Sequence, residues 1–516
     1  MQRRSLGHAT IALALLVVVM AWAGAAAAQE STRRVGDRRA AATSALASPA
    51  ASATGLVEAV KLGDVASVRA ALDRRADVNA PQADGTTPLH WAVDGDAPEI
   101  VTMLVRAGAN VKAANRYGAT PLWLAAVNGN PTTIGILLEA GVDANTASAD
   151  GETVLMVAAR TGQVEAVTAL LARGAQPNTK ETWRGQTALM WAAAEGHAAV
   201  VEALAERGAD LHARSSGGFT ALLFAAREGR IAAVDALLKA GAKLDDALPV
   251  RARGNAPRPA DTPPEVGLDA FLLAAGNAHY ELAARLLDRG ANPNAAPQGY
   301  TALHQISWTR KAGIAGSNNP APDGSGSMDS LTFVRRLVAK GAAVNARVTK
   351  RPQMGVTTLN SIGATPFMLA ARTADADLMR LLAELGADPL ARNVDGSTSL
   401  MVAAGLGTNA PGEDPGTEPE VLEAVKVALA LGNDVNTVDS NGETAMHGAA
   451  YKHAPSVVRF LAQQGARVDV WNRPNKSGWT PLKIADGVHR GMNIVSSPPT
   501  AVVIRDVMAA AASSVK

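Results

Sequence analysis

Nine histidines and no cysteine bound the chemistry this sequence could perform. Without thiols there can be no disulfide, no cysteine-ligated zinc and no thiol nucleophile. Metal binding or acid–base work would then fall to imidazoles set near carboxylates or near one another. The pattern argues against this. His90, His304 and His447 each follow a recurring threonine by three positions, while His197, His279 and His453 fall at or beside the start of the next helix. Beyond the leader only His212 and His489 escape the pattern, and they stand far apart. The chain also lacks a Gly-x-Ser-x-Gly elbow, a phosphate loop ending in Gly-Lys-Ser/Thr, and a His-Glu-x-x-His helix. The acidic runs "DDALP" from Asp245 and "EDPGTEPE" from Glu413 lack the alternating ligands of a calcium loop. The expectation is a non-enzymatic protein with no catalytic residue, no metal and no cofactor.

The elements that would position any functional residue come from a repeat. The phrase "QTALMWAAAEGH" (Gln186 to His197) returns as "ATPLWLAAVNGN", "ETVLMVAARTGQ", "FTALLFAAREGR" and "ATPFMLAARTAD". Thr54, Thr87, Thr120, Thr153, Thr187 and Thr220 are spaced by 33, 33, 33, 34 and 33 residues. Asp269, Thr301, Thr365, Thr398, Thr444 and Thr480 continue at gaps of 49, 32, 64, 33, 46 and 36. Such a period marks stacked supersecondary units, and about twelve starts cover residues 54–516 as one all-α solenoid.

Each unit has a local logic. Threonine caps a first helix, and Pro88, Pro121, Pro366 and Pro481 occupy the first helical position, where no N–H is needed. Ala125-Ala126 and Ala192-Ala193 let neighbouring helices approach closely. Gly129, Gly162, Gly196 and Gly229 end the first helix, and a second follows with apolar spacing such as Val164, Val167, Leu170 and Leu171. A further glycine ends that helix, and a polar turn such as "NVDG" (Asn393 to Gly396) reads as the tip of a short hairpin.

This pattern resembles the ankyrin repeat. "DGTTPLHWAV" (Asp84 to Val93) carries the Thr-Pro-Leu-His element in full. "RAGANVKA" and "QQGARVDV" match the Gly-Ala turn, and Asn79, Asn145, Asn294, Asn345 and Asn436 fall at the usual Asn position. Trp123, Met156, Met190, Leu223 and Met401 replace the histidine, and Asp269 replaces one threonine, which loosens polar bracing without changing the helix logic. The resemblance implies helix–turn–helix units with hairpin tips, and recognition through those tips and the exposed face of each first helix. The residues it selects at tips are Tyr117, Trp183, Arg184, Phe219, Tyr300 and Trp479. On first helices it selects Arg160, Glu195, Arg227, Glu228, Trp308, Arg372, Tyr451 and Lys452. Five aromatics at tips are many for a chain with 3% aromatic residues, and aromatics and arginines are what interface hot spots favour. Trp91 and Trp191, one position inward, read as core.

Four insertions interrupt the array, all after the sixth start. Residues 243–267 and 347–363 enlarge hairpins, which the resemblance directs to the concave side. Residues 311–328 and 407–420 separate the two helices of a unit and are directed to the opposite edge. Loops added to a rigid scaffold often carry function, so a small-molecule or cofactor site built from the loops at 243–267 and 347–363 is an alternative to a protein- or peptide-binding face. Residues 498–510 read as a terminal cap with an altered outer face.

The first thirty residues read as an export signal. Arg3 and Arg4 precede an apolar run and Ala26-Ala27-Ala28, placing cleavage before Gln29 and leaving 29–53 as a flexible lead-in. An uncleaved anchor is the competing reading. Removing that leader takes 49 basic residues to 47 against 47 acidic, a balance without a footprint for nucleic acid. The expectation is a monomer in the periplasm or outside the cell that binds a protein or peptide. A secreted effector acting on another cell is a further alternative.

Overall fold

The computed structural model describes residues 49–249, 267–311, 322, 324–352, 357–412, 414–490 and 493–514. The expected leader at 1–28, nearly all of the lead-in, and much of the insertions 243–267 and 311–328 lie outside them. Helix pairs recur along the chain. Pro49–Lys61 pairs with Val65–Asp73, Pro88–Asp94 with Pro98–Arg106, and Val154–Arg160 with Val164–Ala172, while Pro121–Asn128 and Pro131–Glu139 follow one another in the chain. Ala188–Glu195 pairs with Ala198–Glu206, Ala221–Arg227 with Ile231–Ala240, Ala270–Gly276 with Tyr280–Asp288, and Ala302–Thr309 with Ser330–Ala339. Pro366–Arg372 pairs with Ala376–Glu384, Ser399–Ala404 with Glu418–Ala430, Ala445–Lys452 with Pro455–Gln463, and Pro481–Asp486 with Pro498–Ser514. The chain divides into two compact units, one of residues up to Leu124 with Glu139–Gly141, the other of Ala125–Leu138 and Val142 onward. Each is built from these pairs, and the fold class is an all-α repeat solenoid.

Threonine starts the first helices as its chemistry dictates. The hydroxyls of Thr153, Thr187, Thr220, Thr365, Thr398 and Thr480 each accept the N–H three residues on, a cap worth about 1 kcal/mol. Asp269 does the same at 2.8 Å through its carboxylate, so the exchange for threonine keeps the cap. At three starts histidine completes the brace. Nδ1 of His90, His304 and His447 accepts the N–H of Thr87, Thr301 and Thr444, which puts the proton on Nε2. Nε2 then donates to Ala119 O, Ala346 O and Trp479 O in the following turn. These three imidazoles are structural cross-links.

Asparagine fixes the register between successive turns. In the first unit Asn79 donates to Gly108 O at 3.1 Å and accepts from Asn110 N. In the second unit Asn145, Asn294, Asn345 and Asn436 form the same two-point clasp, as does Asn178, which the sequence reading did not single out. The tips are stitched as well: Thr182 N donates to Asp150 O, Ser216 N to Arg184 O, Ser440 N to Asp395 O and Lys476 N to Asn441 O. Among the described residues these tips join their neighbours by backbone, with isolated bridges such as Ala147 to Thr153 where paired hairpin strands were expected.

Between these polar lines the layers close up on small side chains. Ala188–Glu195 packs between Val154–Arg160 and Ala221–Arg227, and Ala192, Ala193, Ala225 and Ala226 are fully buried there. His453 ends its first helix at φ 61, the left-handed conformation that glycine supplies in most repeats. The chain closes on the helix Pro498–Ser514, which packs on Pro455–Gln463 and Pro481–Asp486 and buries Ala501, Val503 and Ile504. Helix Pro49–Lys61 begins inside the expected lead-in. No described helix is long and apolar enough to cross a membrane.

Burial drives His304 and His447 down to about 4 from 6.5. Their folded-state value is depressed, so the neutral brace stabilises above pH 6.5 and is lost as pH falls toward 4. Each contributes on the order of 3 kcal/mol to that slope. Met156 accepts the N–H of Thr153 through sulfur in the same position, so methionine is a tolerated neutral substitute. The double variant His304→Met, His447→Met is expected to lose much of the acid dependence of urea stability between pH 6.5 and 4.5, read by circular dichroism.

Candidate recognition surface

The side chains selected from the sequence separate into two sets. Tyr117, in the first unit, is 73% exposed with Arg116 stacked 5.1 Å from its ring. In the second unit Trp183 is 71% exposed, and the Arg184 guanidinium lies 4.0 Å from its ring centre. The turn holding this pair is built by Glu181, whose carboxylate accepts the N–H groups of Trp183, Arg184 and Gln186. Glu195 is exposed, and Arg160, Arg227 and Glu228 are half-buried. Arg160 reaches Glu152 at 2.8 Å and lies over Trp191, as Arg227 lies over Phe219 and Phe224. Trp91, in the first unit, and Trp191, in the second, are half-buried.

Most of the other set is buried. Phe219 is 3% exposed and packs 5.0 Å from Phe224, because its turn folds the ring back over the first helix. Trp308 is buried with Val348, Leu359 and Met368, its ring edge-on to half-buried Tyr300 at 4.9 Å. Arg372 has 7% of its side chain exposed and pairs with Asp414 at 3.3 Å. Lys452 donates to Asp414 O and Pro415 O, and burial pushes its ammonium down to about 8. Tyr451 is 8% exposed and donates its hydroxyl to Glu443. Trp479 is half-buried. Arg372 and Lys452 are taken out of solvent by a segment that a regular repeat lacks, while the ring of Phe219 packs on Phe224 and that of Trp308 on Tyr300.

That segment is the insertion 407–420, and its path departs from the expected one. It was directed to the edge opposite the tips. Instead, Gly407 O accepts from Thr358 N at 3.0 Å and from the Thr357 hydroxyl at 2.8 Å, so the insertion meets the enlarged hairpin 347–363. Its far end is pinned by Lys311 on Glu420 at 2.7 Å, and that lysine's hydrogen bond holds the carboxyl down at about 2.

The two insertions and three successive tips line a half-open cavity of about 400 Å³. Its lining includes Thr358 to Asn360 and Gly407 to Asn409 from the insertions, and Asp395, Asp439, Asn441, Glu443, Asn475, Trp479 and His489. Glu443 is the group under electrostatic stress. Its Oε1 accepts from Asn475 at 2.7 Å and from Tyr451 at 3.1 Å, while buried Oε2 has no hydrogen-bond partner. The nearest imidazole, His447, stands 4.0 Å away with its Nδ1 already accepting from Thr444. Burial chiefly, and nearby Asp439, raise the Glu443 carboxyl to about 7. The sequence reading missed Asp395, Asp439, Glu443 and Asn475 as a group. Each is an ordinary turn residue or a residue before a cap, and only the insertions bring them around one space. Among the described residues no cluster of His, Asp and Glu has the arrangement of a metal site.

Stacked helix pairs, polar ladders and stitched tips define a repeat protein that presents side chains from a fixed frame. Models of three-copy ankyrin repeats match residues 42–115, 98–181, 155–247 and 419–490, and a single-repeat model matches 362–394. These spans take in more than half of the chain, which belongs to the ankyrin repeat family. Over 124 residues, 24% of its length, the chain is 35% identical to the B-cell lymphoma 3 protein homolog of Mus musculus. That stretch spans 25% of the relative. The family points to a scaffold for protein–protein contact.

A carboxyl raised above its unfolded value stabilises fully below pH 4.5 and loses that contribution as pH rises through 7. The wild type is therefore expected to lose about 3 kcal/mol relative to Glu443→Gln between pH 5 and pH 8. Urea denaturation of both proteins across that range checks the sign and the size.

Proposed function

We propose that the protein is an exported, non-enzymatic adaptor that holds a protein or peptide partner on its tips and first-helix face. The observation that carries this reading is the exposed Trp183 with Arg184 stacked on it, in a turn fixed by Glu181 and by backbone links to both neighbouring tips. An aromatic ring and a guanidinium held in place before binding lose little freedom on contact, which favours them as anchors. Glu195, on the first helix after that tip, adds an exposed charge. Tyr117 with Arg116 offers a second anchor of the same kind on the first unit.

The capture test uses the tagged full chain, expressed in its native host, beside a Trp183→Ala, Arg184→Ala variant with an unchanged melting profile. A protein from the envelope fraction retained by the wild type and lost by the variant supports the reading. Equal recovery with both removes the Trp183 turn from the site.

Export rests on the basic start, apolar run and Ala26-Ala27-Ala28 of the leader. The intact mass of protein recovered from the periplasm or medium is expected to correspond to a chain beginning at Gln29. A mass that includes residues 1–28 would favour the uncleaved anchor. A second function, a ligand site made by inserted segments, has its own support in the cavity between 347–363 and 407–420.

A further inference from the structure

We infer that the cavity at the two insertions binds an organic cation, an ammonium or guanidinium group carried on an aliphatic stem. This goes beyond the adaptor reading and rests on different residues. The space, about 400 Å³, lies in the range of small-ligand sites and is far larger than a bare ion needs. Its wall decides the sign of the ligand. Asp395, Asp439 and Glu443 bring three carboxylates, against Lys476 and an exposed His489. Lys476 is already engaged, donating to Asn441 Oδ1 at 3.1 Å.

Amide donors of the wall are turned onto its carboxylates. Asn360 and Asn441 turn their amide N–H groups onto the two oxygens of Asp395 at 3.1 and 3.3 Å. Asn475 donates to Glu443 and to the Tyr451 oxygen, and Ser397 donates to Asp439. Each carboxylate oxygen offers about two lone-pair sites, so Asp395 keeps acceptor capacity beyond these contacts, while Asp439 Oδ1 also accepts the N–H groups of Asn441 and Glu443. A ligand rich in N–H donors completes such a wall, whereas an anion meets repulsion. The indole of Trp479 in the lining adds a surface that favours cations and aliphatic stems. Glu443 gives the cation a thermodynamic role: its carboxylate sits in a poorly solvated place without a paired charge, and a bound cation relieves that cost.

The guanidinium or ammonium could belong to a free amine or to an arginine or lysine side chain of a partner. Calorimetry on the full chain at pH 8 separates the sources with two probes, agmatine and a capped Gly-Ala-Arg-Ala-Gly peptide. The neutral control is the same peptide with citrulline. At least one cationic probe is expected to bind at least about tenfold tighter than the control, the value of one charge-assisted contact. Glu443→Gln keeps an oxygen for Tyr451 and Asn475, and Asp395→Asn removes charge from another tip. Each is expected to weaken the cation about tenfold, and Trp183→Ala to leave it unchanged. Agmatine binding tighter than the peptide assigns the site to a free amine; the reverse assigns it to a partner's side chain. The inference is overturned if neither cationic probe outbinds citrulline peptide, or if both carboxylate variants fold and bind like wild type. Loss of cation binding with partner capture intact at Trp183 sinks this inference alone, and the converse sinks only the adaptor reading.

Discussion

No helix pair in this protein can bury its own apolar face. Most first helices span about two turns and carry alanine where they meet their neighbours, so the core lies between pairs. Close approach is the constraint on which everything else rests. It explains the alanines, the left-handed helix ends, and the absence of bulk from positions between layers. It also leaves polar groups in the turns that must be satisfied across layers. The asparagine clasps and the threonine–histidine braces meet that need, and they fix neighbouring layers in one register.

The frame was legible because every repeat solves the same problem with the same residues. Threonine at a fixed interval gave the helix starts, and the position of asparagine gave the clasps. Even Asp269, an exception by residue type, keeps the capping geometry. The surface was less legible, because exposure depends on what the next turn or loop covers. Phe219 and Trp183 both read as tip aromatics. One is folded onto Phe224 and the other stands in solvent, a difference set by the path of each turn. Arg372 and Lys452 read as exposed first-helix charges and are buried under Asp414 and Pro415. Nothing in the local sequence of either residue announces that loop.

The cavity was hidden for a related reason. Asp439 and Asn475 form their turns as any tip residue would, accepting nearby backbone N–H groups, and Asp395 sits in a turn built the same way by Asn393. Their shared space arises from stacking, which brings every tip beside the next, and from two insertions that meet at Gly407. A regular array would leave these residues on an open slope. The frame thus carries different surfaces, with protruding rings at some regular tips and a half-open acidic space where loops have been added.

The contact between Asp414 and the two cations beneath it has a one-sided consequence. A buried guanidinium without its counter-charge is costly, and so is an ammonium without its carbonyl partners. Deletion of the loop would return Arg372 and Lys452 to solvent, where each charge is hydrated. Replacement of either residue would take an attachment from the loop. The dependence therefore runs one way: the loop needs the two side chains, and they can do without the loop.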